Sequence, residues 1–289
     1  MPELPEVETV VRGITPLIQG KKIVRCLHVS KEMFGEGVEE FSASIEGSRF
    51  RSTQRIGKWI LLNLFDGSTL VIHLGMTGHL SVQSAKAAVE PHTHLRLGLD
   101  RGGKELRFID PRRFGEIKYC TISEMSTWFD RGHLGPDALA VSWEYLDDCF
   151  FLSKRTVKSV LMDQKRLAGL GNIYADEILF AAGVHPGAQA NRLAAEVSRS
   201  IHSAMNRILQ QAIQAGGSTI RDYSDAHGRP GSYQNRHEVY GRAGEPCRKC
   251  DTPIVVDRKL MSGRSTHFCP ICQTIGRRKI RTRPKPSTP

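Results

Sequence analysis

The sequence predicts an α+β protein: an N-terminal β-sandwich with a flanking helix, then a helical half ending in a hairpin bracketed by cysteines. Three observations predict it. An amphipathic helical repeat at the N-terminus gives way to short segments bounded by Gly and Asp. From about Thr121 the apolar spacing turns helical. Cys247-x2-Cys250 and Cys269-x2-Cys272 stand eighteen residues apart near the C-terminus.

The 289 residues suffice for two domains of ordinary size. Lys and Arg number 41 against 30 Asp and Glu, a formal charge of +11, which suits a polyanionic partner, nucleic acid first. An anionic membrane surface is the rival. The chain offers it no polybasic amphipathic helix, lipidation signal or apolar run long enough to span a bilayer. The acidic N-terminus does not read as a secretory signal. Seven cysteines, four of them at metal spacing, suit a reducing cytoplasm better than a disulfide framework.

Val7, Val10, Val11, Ile14 and Leu17 recur at helical spacing, so a helix is predicted from about Pro5 to Ile18, stopped at Gly20, with Pro16 disturbing its last turn. Lys22–Val29 reads as a strand. Trp59–Phe65 and Ser68–Leu74 flank Asp66-Gly67, a hairpin signal. His94–Leu99 and Glu105–Ile109 flank the turn Asp100-Arg101-Gly102-Gly103, and Glu116–Cys120 is a further strand. Short strands at this spacing build a sandwich. The predicted helices are Ser123–Phe129, Glu144–Phe151, Thr156–Gln164, Ile173–Ala181 and Arg192–Ala215, with a domain boundary near Gly132–Pro136. Gly216-Gly217 stops the last helix. Ser218–Glu245 is polar, Gly-rich and aperiodic, a long loop of the kind that is functional or disordered. Arg277–Pro289 is a basic, Pro-rich tail.

Chemistry concentrates at a few places. The cysteine knuckles fit a tetrahedral zinc ion, and four cysteine ligands leave no open position, so the metal is structural. Arg264, at the tip of the intervening hairpin, suits phosphate contact or simple solvation. Ala168-Gly169-Leu170-Gly171-Asn172 opens a helix whose first N–H groups can bind phosphate, and Lys154, Arg155 and Lys158 add charge just before it. At the N-terminus, Pro2 is the kind of second residue from which methionine is removed. A generic terminal amine has a pKa of about 7.7–8.0, so roughly a tenth of it is neutral at pH 7. A proline amine condensing with a sugar carbon gives an iminium without a removable N–H, a strong electron sink. Glu3 can move protons beside it. The same Pro5, Glu3, Glu6 and Glu8 also make an ordinary acidic helix start.

The start Met1-Pro2-Glu3-Leu4-Pro5-Glu6-Val7-Glu8-Thr9-Val10 resembles the amino terminus of the bacterial formamidopyrimidine-DNA glycosylases, which remove oxidised purines from DNA. The resemblance runs on, in order, through the strand motifs, the Gly-rich turn, the long loop and the knuckles. It implies Pro2 as nucleophile, Glu3 as acid/base, and Lys58 and Arg264 as aids to phosphate loss. His73-Leu74-Gly75-Met76-Thr77-Gly78 and Asp110-Pro111-Arg112-Arg113-Phe114-Gly115 match the motifs whose Met76, Arg112 and Phe114 fill the void left by an everted base. His73, His92, Lys154 and Asn172 are implied DNA contacts. The implied domains are a catalytic sandwich at 1–133, a helix-two-turn-helix domain at 134–217, a lesion-covering loop at 218–242, a zinc finger at 243–277 and a basic tail at 278–289. The implied activity is a glycosylase and abasic-site lyase of base excision repair, acting as a monomer on lesion-bearing double-stranded DNA in the bacterial cytoplasm and nucleoid. It needs one structural Zn2+ and no redox cofactor. Two rivals remain: a relative resembling endonuclease VIII, specific for oxidised pyrimidines, and a zinc-ribbon DNA-binding protein without catalysis. The segment His79–Pro91 has no residue-by-residue match.

Overall fold

Helix α1 (Leu4–Ile18) begins where Glu3 caps it, and the Glu6 side chain accepts the Glu3 backbone N–H at 2.8 Å. Pro5 sits in the first turn, where no N–H is needed. Val7, Val10, Val11, Ile14 and Ile18 form the buried stripe. Pro16 is accommodated inside the last turn, and the helix still ends at Ile18.

The computed structural model describes residues 1–35, 37–130, 134–220, 223–226, 228–261 and 263–275. The basic tail 278–289, Arg221 and Asp222 of the long loop, Gly132 at the boundary and Ser262 at the hairpin tip lie outside the described residues. The chain divides into two compact units, Met1–Leu134 with Gln210–Asn235, and Gly135–Leu209 with Arg236–Pro289.

In the first unit, β1 (Ile23–Val29) is followed by helices α2 (Lys31–Phe34) and α3 (Val38–Ile45). Then come β2 (Phe50–Ile56), β3 (Trp59–Leu64), β4 (Thr69–His73), β5 (His79–Ser84), β6 (Thr93–Leu99), β7 (Lys104–Ile109), β8 (Glu116–Cys120) and α4 (Ile122–Asp130). The strands make two antiparallel four-stranded sheets, ordered β1-β6-β7-β5 and β2-β3-β4-β8. Their inner faces and the α1 stripe share one core that includes Ile60, Leu62, Leu70, Ile72, Leu95, Leu97, Leu106 and Phe108. This is the expected sandwich with its flanking helix. The β3–β4 hairpin closes on Asp66-Gly67, with Gly67 at φ +89° and the Asp66 carboxylate accepting the Ser68 N–H.

Strands β2 and β5 and the two short helices have no counterpart in the sequence expectations. Both strands lie at sheet edges, where one face meets solvent and few apolar residues are needed. Their sequences, FRSTQRI and HLSVQS, accordingly carry two apolar residues each.

The second unit contains α5 (Trp143–Phe151), α6 (Val157–Leu161), α7 (Asn172–Ala181) and most of α8 (Ala195–Gln214). It ends in the hairpin β9 (Val255–Met261) and β10 (Arg264–Phe268). Phe180, Val239, Cys247, Ile254 and Cys269 form a separate small core under the hairpin. Among the described residues no helix is long and apolar enough to cross a membrane.

Candidate active site and nucleic-acid interface

The start of α1 is sunk into the first unit. Pro2 is buried, Glu3 is 2% exposed and Glu6 1%. Glu6 is the hub. One carboxylate oxygen accepts the Glu3 N–H, and the other accepts the Ser218 N–H at 2.7 Å. The Tyr223 hydroxyl donates to the Glu6 carbonyl at 3.2 Å. Gly217 lies against Glu6 at φ +80°, so a side chain there meets both strain and collision. The beginning of the long loop is therefore tied to the first helical turn. Local sequence gives no sign of this, since the partners are 212 residues apart.

Lys58 joins them from the tip of the β2–β3 hairpin, where Ile56 pairs with Trp59 across the turn Gly57-Lys58. The tip is fixed to α1 by Arg55, which donates to Glu8 at 2.9 Å and to the Gly57 carbonyl at 3.0 Å. Lys58 is 5% exposed, which departs from a solvated strand-end lysine. The terminal amine of Met1 feels this set. Burial holds its pKa below the usual 8.0; Lys58 and Arg112 lower it further, while Glu3 and Glu6 oppose them.

His73, at the end of β4, is pushed down to about 4 by burial and by the Lys58 charge. Its Nδ1 accepts the Gly75 N–H at 3.1 Å, so the neutral ring carries its proton on Nε2 and presents a donor. His237 in the second unit is likewise pushed down to about 4, chiefly by burial. In the unfolded chain both return to the usual 6.5. The unfolded state therefore binds protons first, and the stability these imidazoles contribute is full above pH 6.5 and lost as pH falls towards 4. Urea unfolding at pH 7 and pH 4.5 should show a loss on the order of 1–3 kcal/mol per histidine. It should shrink in His237→Gln.

Met76 and Phe114 are 40% and 55% exposed, although both residue types favour burial. They stand on neighbouring turns. Gly75, at φ +60°, packs so closely on the Phe114 backbone that any side chain would collide with it. The Arg112 guanidinium lies 4.8 Å from the Phe114 ring centre. His92 is exposed and holds φ +62°, unusual for a residue with a side chain. A cavity of about 820 Å³ opens beside Arg112, with His79, Gln83, Glu90 and Ser224 in its wall. The unmatched segment 79–91 is held by Arg107. That fully buried side chain donates to Glu105 and Gln83 and to the carbonyls of Ser84, Ala87 and Ala88.

In the second unit, Asn172 opens α7 with Gly171 as its cap, and its side-chain amide donates to the Ser265 carbonyl at 2.8 Å. Lys154 is exposed just before α6, and Arg264 is exposed at the hairpin turn. Lys158 departs from the expectation of added positive surface. It is fully buried, 2.7 Å from Asp176, and donates to Thr266 at 3.0 Å. Asp176 also accepts the His267 N–H, so this pair fastens β10 to α6 and α7. Arg155 is drawn to Asp163 at 2.6 Å. Glu177, buried beside Asp176, accepts the N–H groups of Glu238, Val239 and Tyr240, and burial raises its pKa against those bonds.

The sulfurs of Cys247, Cys250, Cys269 and Cys272 all lie within 4.8 Å of one another, with Cys250 3.4 Å from Cys272 and Cys247 3.9 Å from Cys272. Tetrahedral Zn–S bonds of about 2.3 Å separate sulfurs by about 3.8 Å, so the cluster fits zinc. The finger is a structural zinc site with one ion and no open position.

Three family models match the chain. Residues 1–117 match the formamidopyrimidine-DNA glycosylase N-terminal domain, 134–224 its H2TH domain, and 244–275 the zinc finger found in FPG and IleRS. The formamidopyrimidine-DNA glycosylase of Streptococcus mutans is 42% identical over 275 residues, spanning 94% of this chain and 99% of that one. The enzyme of the same name from Bacillus subtilis is 40% identical over 280 residues, 95% and 99% of the two chains. The Lactococcus lactis Fpg in complex with DNA containing an abasic site superposes with a TM-score of 0.87 at 34% identity, over 94% of this chain and 99% of that one. The MutM (FPG) protein of Thermus thermophilus superposes with a TM-score of 0.83 at 38% identity, over 94% and 98%.

Proposed function

The chain belongs to the formamidopyrimidine-DNA glycosylase family, and from that premise we propose that it excises oxidised purines from duplex DNA and cuts the strand at the resulting abasic site. The observation that carries the reading is the buried chain start, where Pro2 is set among Glu3, Glu6 and Lys58.

With Met1 removed, the Pro2 nitrogen inherits this setting. Burial favours the neutral form of an amine there, as it does for the Met1 amine, with Glu3 and Glu6 opposing it and Lys58 and Arg112 supporting it. The nitrogen attacks C1′ of the damaged nucleotide, the N-glycosidic bond breaks, and the base leaves with its bonding electrons. The nitrogen gives up its proton, O4′ takes one, and the C1′–O4′ bond breaks as the nitrogen lone pair forms the C1′=N bond, so the sugar ring opens to an iminium on Pro2. That iminium acidifies C2′, and loss of the C2′ proton expels the 3′ phosphate. A second elimination expels the 5′ phosphate. Glu3 moves the protons. Lys58 and Arg264 balance charge on the departing phosphates. Met76, Arg112 and Phe114 occupy the space the everted base leaves, with Arg112 donating to its orphaned partner. The cavity beside Arg112 has room for a nucleoside. Lys154, Asn172, His73 and His92 hold the backbone. The protein works as a monomer on nucleoid DNA in the cytoplasm. The domains implied by the resemblance divide the labour: chemistry in the sandwich, grip in the helices and finger, lesion cover in the loop 218–242.

The test is strand cleavage by the processed protein on two duplexes, one with 8-oxoguanine opposite cytosine and one with an oxidised pyrimidine. The purine lesion should be cut at least about tenfold faster, a difference of about 1.4 kcal/mol in transition-state binding. A preference for the pyrimidine would move the protein to the endonuclease VIII-like class.

A further inference from the structure

Asp110 follows β7, and its side chain is fully buried. One carboxylate oxygen accepts the Thr77 hydroxyl at 2.5 Å and the Arg112 N–H at 3.3 Å. The other accepts the Gly115 N–H at 2.7 Å. Its own N–H donates to the His92 carbonyl at 3.0 Å. Its carbonyl accepts the Arg113 N–H at 3.2 Å and faces the His94 ring nitrogen at 3.1 Å. The polar atoms of one residue thus hold three separate turns, which carry Met76, His92, and Arg112 with Phe114.

Such turns have a strong reason to move. Met76 and Phe114 gain by folding back onto apolar surface, and ordering each turn costs conformational entropy. The bond from Thr77 to Asp110 is a side-chain link between the Met76 turn and the Arg112–Phe114 turn. Hydrogen bonds to a carboxylate are the stronger kind, and a buried one left short of donors is costly.

We infer that Asp110, through Thr77 and the Arg112–Gly115 backbone, is the positioning residue that holds Met76, Arg112 and Phe114 as one rigid wedge. It acts on base eversion and not on strand scission. The inference rests on the proposed function in taking those three side chains as the wedge.

Thr77→Val removes the hydroxyl link at constant shape. Asp110→Asn keeps the shape but replaces one acceptor with a donor. Single-turnover excision of 8-oxoguanine opposite cytosine should slow about tenfold in Thr77→Val, the lower end of what one hydrogen bond to a charged group is worth. Scission at a preformed abasic site, where no base has to be pulled out, should stay within about twofold, well inside the effect of one such bond. A stability change alone would move both reactions together. In a Phe114→Ala background, Thr77→Val should add nothing, because the wedge is already broken. Asp110→Asn should repeat the split if it folds, and Thr77→Val decides the matter if it does not. Wild-type excision by Thr77→Val, or an equal loss in both reactions, overturns the inference. If Phe114→Ala and Met76→Ala themselves excise at the wild-type rate, the wedge assignment falls instead.

Discussion

Processed protein carrying Pro2→Gly should cleave a duplex with 8-oxoguanine roughly 10³-fold more slowly than the wild type, about 4 kcal/mol of transition-state stabilisation, because a primary amine replaces the secondary one. The argument is chemical. Glycine still offers a terminal amine, so attack at C1′ remains available. The product is then an imine with a removable N–H, and its neutral form is a poor electron sink. Glycine also frees the backbone just before the Glu3 cap, where the Glu6–Glu3 bond needs a fixed chain direction. Retained Met1 is the stricter version. It turns the Pro2 nitrogen into an amide, which has no basic lone pair, so that form should be inactive while it still binds DNA. Measurement needs single-turnover rates with the N-terminus checked by mass spectrometry. A Pro2→Gly protein of near wild-type rate would show that the secondary amine is not what the reaction needs, and full activity of the form that retains Met1 would remove the nucleophile from Pro2.

The second large effect concerns the finger. Cys250→Ser, or chelation of the metal, should abolish the fold of residues 244–275. Structural zinc contributes on the order of 10 kcal/mol to such a site, comparable to the whole net stability of an ordinary domain. The small core of Phe180, Val239, Cys247, Ile254 and Cys269 cannot replace it. Arg264 then loses its hairpin, and Asn172 loses the Ser265 carbonyl it holds. Duplex binding should fall at least about a hundredfold, some 2.7 kcal/mol. The β-sandwich, with its own core, should keep its near-ultraviolet spectrum. Thiol titration alongside zinc release distinguishes this from general unfolding. Full binding after zinc loss would show that the finger is dispensable.

Legibility differs from element to element for physical reasons. The four cysteines are plain in the sequence because coordination chemistry fixes both residue type and spacing. Helix α1 and the β3–β4 hairpin are plain because a buried stripe and an Asp-Gly turn are local signals. Edge strands β2 and β5 are not, since sheet pairing rather than apolar patterning makes them. Lys158 shows the limit most clearly. Beside Lys154 and Arg155 it looks like one more surface cation, yet Asp176, eighteen residues on, takes it into the interior. Sequence motifs mark Pro2, Lys58, Met76, Arg112 and Phe114. No motif marks what holds them: Glu6 to Ser218, Arg55 to Glu8 and Asp110 to Thr77 are bonds between distant segments. The long loop looks structureless for the same reason, because what holds Ser218 and Glu238–Tyr240 is Glu6 and Glu177, far away in the sequence.

The most direct measurement is borohydride reduction of the processed protein mixed with an 8-oxoguanine duplex, followed by peptide mapping of the covalent adduct. An adduct on the Pro2 nitrogen, absent when Met1 is retained, is the result this account predicts. An adduct on a lysine such as Lys58, or none while the strand is still cut, would contradict it.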